Sequence, residues 1–444
     1  MATPDPETKD DVSRMLDRVE ATSASSELET LFTKLHASTR VLESAVLEPL
    51  FSKRGVRILG LHGFSDKPGP EHLPALRCLN NVLVRSAESR PMVATEVGAD
   101  RIVAAFKRAD PDDELALANI LIFACYGTSL DLKPSFEKDG LADAINSIIA
   151  RNAEQGSLPT AEPTSACSAS LRLLSTLGAT YESQTDRFLD SVDPVMEMLT
   201  RTKVPSPPLQ PSVSLLVNCL PFLPLQKKTD ISVAAVDKLT EILGASLAAY
   251  GTMADEHELQ PLLLGLLNLS QSAGGSQAKT RLQTSLVPGD EDRKEALGKG
   301  ATLPHKILGL ASSSMSPEVR ELVMSLFFEL SDRDPSRFVH NVGFGNAAGY
   351  LSTKGIDISQ SATASAEAGG AAINPITGQR IDFEAKGPDL PEMTDEEKER
   401  EAERLFVLFE RATGVVDVEN PVTRAAREGR IQELPDDESD DDKT

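Results

Sequence analysis

The sequence contains no tryptophan, and aromatic residues make up only 4% of its 444 positions. So few large rings suit helix-on-helix packing of leucine and alanine better than a β-sandwich core. Cysteine is scarce too. Cys78, Cys125, Cys167 and Cys219 form no CxxC pair, which speaks against a disulfide framework and for a cytoplasmic chain. No apolar run approaches the ~20 residues of a membrane-spanning helix. The first residues, Met1 to Glu7, have neither the basic nor the apolar region of a signal peptide, and residue 2 is not the glycine that myristoylation needs. Positive charge is in deficit. The net charge of −23 argues against nucleic acid and for partners with basic or amphipathic elements. The six histidines are scattered, with no HxxxH, HExxH, GxSxG or Walker pattern. No metal, cofactor or catalytic residue is expected.

Apolar helical runs carrying one polar residue are abundant. Leu262–Ser270 reads LLLGLLNLS, with Asn268 as its marker. The runs holding Arg77 and Asn80, Asn119 and Phe123, and Asn218 repeat the pattern, and Ser175 and Glu329 replace the Asn in two more. The markers at 80, 119, 175, 218, 268 and 329 are spaced by 39, 56, 43, 50 and 61 residues. Helical units recurring every ~40–47 residues, with loop insertions, predict an all-α armadillo/HEAT-like solenoid, a right-handed superhelix. An Asn inside such a helix is costly unless its amide finds partners. It either bonds to the backbone of the neighbouring repeat or faces a ligand.

Breakers divide the chain. They lie at Lys67–Pro70, Asp110–Asp113, 156–163, Pro205–Pro208 and 273–276. Acidic runs such as Asp110–Glu114 read as solvated helix starts. Residues 27–51 read as one or two amphipathic helices capping the first face. Residues 287–299 read as a surface insertion. Three glycines between Gly343 and Gly349 imply tight turns or close backbone approach, without the Lys-Ser/Thr of a phosphate loop. The solenoid is expected over residues 1–352, followed by a flexible linker over 353–392 that carries the turn signature NPITG. A helix is expected over 393–414, from the capping-box pair Thr394 and Glu397 and a stripe that includes Leu405 and Phe409. The acidic tail, 415–444, is expected to be largely disordered, with Ser439 a phosphorylation candidate among aspartates.

Three blocks in order, RFVHNVGFGNAAGYL at 337–351, INPITG at 373–378 and EMTDEEKEREAERLFVLFE at 392–410, resemble the synembryn family. That resemblance implies a cytoplasmic exchange factor and folding chaperone for heterotrimeric G-protein α subunits, recruited to the cell cortex through its partner; the repeat architecture itself is expected to stand as a monomer. It implies that Arg57, in Val56-Arg-Ile-Leu59, faces the tail of the α subunit. Arg77, Asn80, Asn119, Phe123, Asn218, Leu405 and Phe409 are the other expected partner contacts. The repeats alone suit equally a general armadillo scaffold or transport adaptor without exchange activity.

Overall fold

A computed structural model of the chain describes residues 5–162, 165–251, 256–272, 276–312, 316–356, 373–374 and 377–384. These residues lie in one compact unit, Met1–Glu384. In chain order the helices are α1 (Lys9–Ala21), α2 (Ser25–Val41), α3 (Ser44–Phe51), α4 (Lys53–Gly63), α5 (His72–Arg85), α6 (Arg90–Glu96) and α7 (Ala99–Lys107). Next come α8 (Pro111–Cys125), α9 (Lys133–Glu137), α10 (Leu141–Glu154), α11 (Ala166–Thr180), α12 (Val192–Arg201) and α13 (Pro211–Val217). The last are α14 (Val233–Tyr250), α15 (Glu256–Ser270), α16 (Gln277–Leu286), α17 (Leu303–Ala311), α18 (Pro317–Leu330), α19 (Pro335–Val342) and α20 (Phe344–Thr353). Among the described residues there is no strand, only an isolated bridge between Ile373 and Arg380. No described helix is long and apolar enough to cross a membrane.

The helices form two layers. One row stacks α2, α5, α8, α11, α13, α15 and α18, each against the next. The other contains α1, α3, α4, α6, α7, α10, α12, α14, α16 and α17. The first row is parallel at its front end. At the helix starts His72 Nε2 lies 3.2 Å from Asp113 Oδ2. At the ends Arg85 donates to the Thr39 carbonyl at 2.7 Å and to Ser44 Oγ at 3.2 Å. Helix α8 is apolar nearly all round because it sits inside this stack, with Leu117, Ile120, Leu121 and Ala124 buried. Its start shows why the acidic run is not wholly solvated. Asp110 accepts from the amides of Asp112 and Asp113, whereas Glu114 is buried. Burial pushes the Glu114 carboxyl up, and Arg151, 2.8 Å away, opposes that shift.

Bonds between side chains and the adjacent repeat recur one repeat apart. Asn81 Nδ2 donates to Thr39 Oγ1 at 2.8 Å and Asn146 Nδ2 to the Arg187 carbonyl at 2.8 Å. Arg201 reaches the Ala153 carbonyl at 2.8 Å, and Gln283 the Leu330 carbonyl at 2.8 Å. These pairs are 41 to 48 residues apart in sequence, so the bonds report the repeat length directly. Two glycines let neighbouring segments of the row approach closely. A Cβ on Gly178 would lie 2.5 Å from Phe222 Cβ, and one on Gly265 2.6 Å from Leu220 Cβ. All four cysteines are free thiols, and burial raises every one of them.

Two expectations need correction at the C-terminal end. The 287–299 segment is not simply an exposed insertion, since Arg293 and Leu297 within it are buried. They meet a strap, residues 377–380, the last two residues of the NPITG turn and the two after it. The glycine-rich stretch is helical rather than a loop. Gly343, with φ +79, breaks the chain between α19 and α20, and Gly345 and Gly349 lie inside α20.

Candidate functional site

The α2–α5–α8 end of the first row carries the residues best placed to meet a partner. Arg77 is exposed on α5, and Asn80 on the next turn is half-buried. Asn119 and Phe123 are half-buried one turn apart on α8. Arg90 lies over the Phe123 ring, 4.8 Å from its centre, held there by a 3.0 Å bond from its Nε to the Leu83 carbonyl. On α2, His36 is half-buried, and Arg40 is exposed one turn on. Burial lowers the His36 imidazole, and the charges of Arg77 and Arg40 push it the same way. This end therefore gathers positive potential on a chain of net charge −23.

An apolar edge borders these cations. Val41 ends α2, Val84 is next to last in α5, and Tyr126 caps α8; they are 79%, 52% and 54% exposed. Their numbers differ by 43 and 42, the repeat length, so parallel stacking aligns them along one edge of the row. Single exposed apolar residues need no explanation, but a column of them, one per repeat, marks an interaction surface. Sequence reasoning missed this column because it followed the polar markers. The recurrence of an apolar residue just past each buried helix run carried the signal.

The expected contacts do not all come together. Arg77, Asn80, Asn119 and Phe123 share the α5–α8 face. Asn218 is exposed at the C-cap of α13, further along the same row. Arg57 is in the other layer, on α4, where it faces Glu20 of α1 at 3.7 Å. Leu405, Phe409 and Ser439 lie outside the described residues. The marker Asn residues divide in the same way. Asn268 Nδ2 donates to the Pro221 carbonyl at 3.5 Å, as a repeat-to-repeat bond requires. Asn80 Oδ1 is buried without a partner among the described residues, and the bonding amide belongs to its neighbour Asn81.

A concavity of about 540 Å³ opens between α18 and α20. Met324, Gly345, Gly349 and Tyr350 line it, with Lys354 at its rim paired to Glu321 at 2.8 Å. Among the described residues no group of three or more His, Cys, Asp or Glu side chains is arranged to hold a metal ion.

Similarity to known proteins completes the picture. One solved chain, from work on a phosphorylation switch in the interaction of cadherin with beta-catenin, superimposes with a TM-score of 0.55 at 13% identity. It covers 79% of this chain and 59% of that one, which supports the armadillo-type fold and nothing finer. A synembryn-like chaperone of Schizosaccharomyces pombe is 32% identical over 193 residues, 40% of this chain and 36% of the relative. The Ric-8A chaperone of Xenopus laevis is 29% identical over 218 residues, 45% of this chain and 40% of the relative. The matched stretch thus spans well under two thirds of either relative's length. The family described as guanine nucleotide exchange factor synembryn matches residues 39–430, nearly the whole chain, and this protein belongs to it.

Proposed function

We propose that the protein is an exchange factor and folding chaperone for a heterotrimeric G-protein α subunit, and that the α2–α5–α8–α11 face grips the amphipathic helix at the C-terminus of that partner. The observation that carries this reading is the pairing of an apolar column, Val41, Val84 and Tyr126, with exposed Arg40 and Arg77 in an otherwise acidic chain. An amphipathic helix laid in a groove offers apolar anchors every three or four residues, and the column offers matching sites. Arg40 and Arg77 suit the negative charge at the end of such a helix.

Exchange on this reading needs no acid, base or nucleophile. A binder shifts an equilibrium only by its differential affinity for the two states. Holding the C-terminal helix away from the GTPase loosens the guanine pocket, so the nucleotide-free form binds more tightly. By linkage, nucleotide binding weakens the complex by the same factor. The same grip shields an apolar helix while the G protein folds, which joins the two activities in one surface. The 393–414 segment, with Leu405 and Phe409, serves as a second clasp on the GTPase. Asn119 contacts the gripped helix, and Asn218, one helix beyond that face at the C-cap of α13, contacts its end. The protein acts as a cytoplasmic monomer that reaches the cell cortex through its partner.

The test is release of a fluorescent guanine nucleotide from a purified Gα protein, with and without this protein. Truncation after Pro391 is expected to keep binding of a peptide taken from the Gα C-terminus and to lose most of the acceleration. Peptide binding with no acceleration by the full chain would instead mark a scaffold or adaptor.

A further inference from the structure

Arg90 joins two helices of the first row from outside it. It opens α6, in the second layer, and the chain leading into it is fixed. Ser89 is fully buried; its hydroxyl donates to the Phe51 carbonyl at 2.9 Å and its amide to Ser86 Oγ at 3.3 Å. Pro91 follows in the first turn of α6, where a missing amide costs no helix bond and φ is preset. The backbone therefore aims the Arg90 side chain before any partner arrives.

From there the side chain makes two contacts at once. Its Nε donates to the Leu83 carbonyl at 3.0 Å, and its guanidinium carbon lies 4.8 Å from the centre of the Phe123 ring. Leu83 stands in the last turn of α5. Carbonyls there have no amide partner within the helix, and the helix dipole favours a cation. The aromatic ring offers the negative face of its quadrupole. A guanidinium suits both partners, since it donates in its plane and stacks with its face, whereas an ammonium is a point charge.

Both contacts fall beside the apolar column. The Leu83 carbonyl belongs to the peptide unit that carries Val84, and the Phe123 carbonyl accepts the Tyr126 amide at 3.3 Å. Phe123 itself is half-buried. A half-open ring with nothing holding it exchanges rotamers, and freezing it on binding weakens a complex. A ring held beforehand carries no such penalty.

We propose that Arg90 is a positioning residue of the grip, which holds the Phe123 ring as a preformed apolar anchor for the partner helix. This rests on the reading of the α2–α5–α8–α11 face as the grip for a Gα helix. Arg90 acts through the ring, and its effect on the partner vanishes when the ring is gone.

The experiment uses the full chain with 4-fluorophenylalanine at position 123, which reports the ring without any G protein. Arg90→Ala is expected to move the fluorine resonance, and an unmoved resonance overturns the positioning. Arg85→Ala is the control. Arg85 also fastens the end of α5, through the Thr39 carbonyl and Ser44 Oγ, but on the side of α2 and α3. It is expected to leave the resonance in place; a shift as large as that of Arg90→Ala would mean general loosening of α5 and overturn the specific role. Binding of the Gα C-terminal peptide is then measured where each variant is folded. Arg90→Ala is expected to weaken it about fivefold. In a Phe123→Leu background the same change is expected to cost less than about twofold, and a further fivefold loss there overturns action through the ring. Arg90→Lys keeps the charge without the planar fork and is expected to bind about as weakly as Arg90→Ala. Full affinity in Arg90→Lys would make charge the cause and overturn the positioning. If the peptide binds neither wild type nor variants while the resonance still moves, the grip reading fails and the hold on Phe123 stands.

Discussion

The two ends of the described unit are built differently. At the front, α2, α5, α8 and α11 are long and packed each against the next, and bonds one repeat apart tie α2 to α5 and α5 to α8. At the back, after α18, short helices and a returning strap close the stack around two buried polar residues, Arg293 and His305. The front is repetitive, so its energy is a sum of similar interfaces between neighbours. The back is not repetitive, and its stability rests on a few long-range contacts. A surface made by repetition can be long and uniform, as a bound helix needs. A closure made by singular contacts can hold one segment in one place.

The largest effects are expected where the front is packed most tightly. Leu121 is fully buried in α8 between α5 and α11. Leu121→Ala is expected to cost about 2–5 kcal/mol, from lost burial and a residual cavity. Denaturant titration followed by circular dichroism measures it, and a loss below about 1 kcal/mol would mean the row is not close-packed at α8. Gly265→Ala is expected to cost about 1–3 kcal/mol, because the new methyl must displace Leu220. An unchanged melting temperature would contradict the close approach of α15 to the preceding segment.

The front was legible in sequence and the back only in part. Periodic leucines disclose a buried helix face because burial needs one apolar residue per turn, and regular breakers disclose the repeat. That reasoning anticipated one or two helices in 27–51, where α2 and α3 lie, and the all-α stack of repeats. It failed at single residues for a physical reason. Asn80 and Asn81 are adjacent, but 100° apart around the helix, and only Asn81 points at Thr39. It also failed at 287–299, where charged residues looked solvated. Arg293 is buried by a strap 85 residues away, and no local pattern encodes such a pairing.

Charge sharpens the comparison at an intermediate scale. Arg77 is exposed at the front and makes no ion pair within 4 Å among the described residues. Arg77→Glu is expected to weaken binding of the Gα peptide about tenfold, roughly 1.4 kcal/mol, with melting unchanged. Raising salt is expected to weaken wild-type binding through its on-rate, and less so in the variant. Affinity indifferent to salt would remove the electrostatic part of the proposal.

Both ends respond to acid in the same direction. Burial lowers His36 at the front, where Arg77 adds to it, and His340 at the back, where Arg293 adds to it. A lowered folded value means the unfolded chain binds the proton more readily. The stabilising contribution is therefore complete above the ordinary histidine value of about 6.5 and is lost as pH falls below it. Melting temperature is expected to drop from pH 7.5 to 5.5. His36→Gln and His340→Gln should each flatten part of that slope, and a slope untouched by both would place its origin elsewhere.

The smallest expected stability effect separates a packing role from a binding role at two adjacent residues. Asn81 spends its amide on Thr39 Oγ1, across the α2–α5 interface. Asn81→Ala is expected to lower stability by about 0.5–1.5 kcal/mol, the net worth of such a bond. Asn80 has a buried Oδ1 with no partner among the described residues, and it stands one turn from exposed Arg77. A buried acceptor without a donor already costs free energy in the unbound chain, so removing it is expected to be neutral or slightly stabilising. A bound helix supplies a donor only if Asn80 faces it. Asn80→Ala is therefore expected to leave melting unchanged or raised while weakening peptide binding several-fold. Asn81→Ala is expected to show the reverse, lower stability with binding little altered once the fraction folded is accounted for. Melting curves and peptide titrations on the two variants decide the matter. If Asn80→Ala melts lower and binds normally, its amide belongs to the packing of the row, and the α5 side of the proposed grip rests on Arg77 alone.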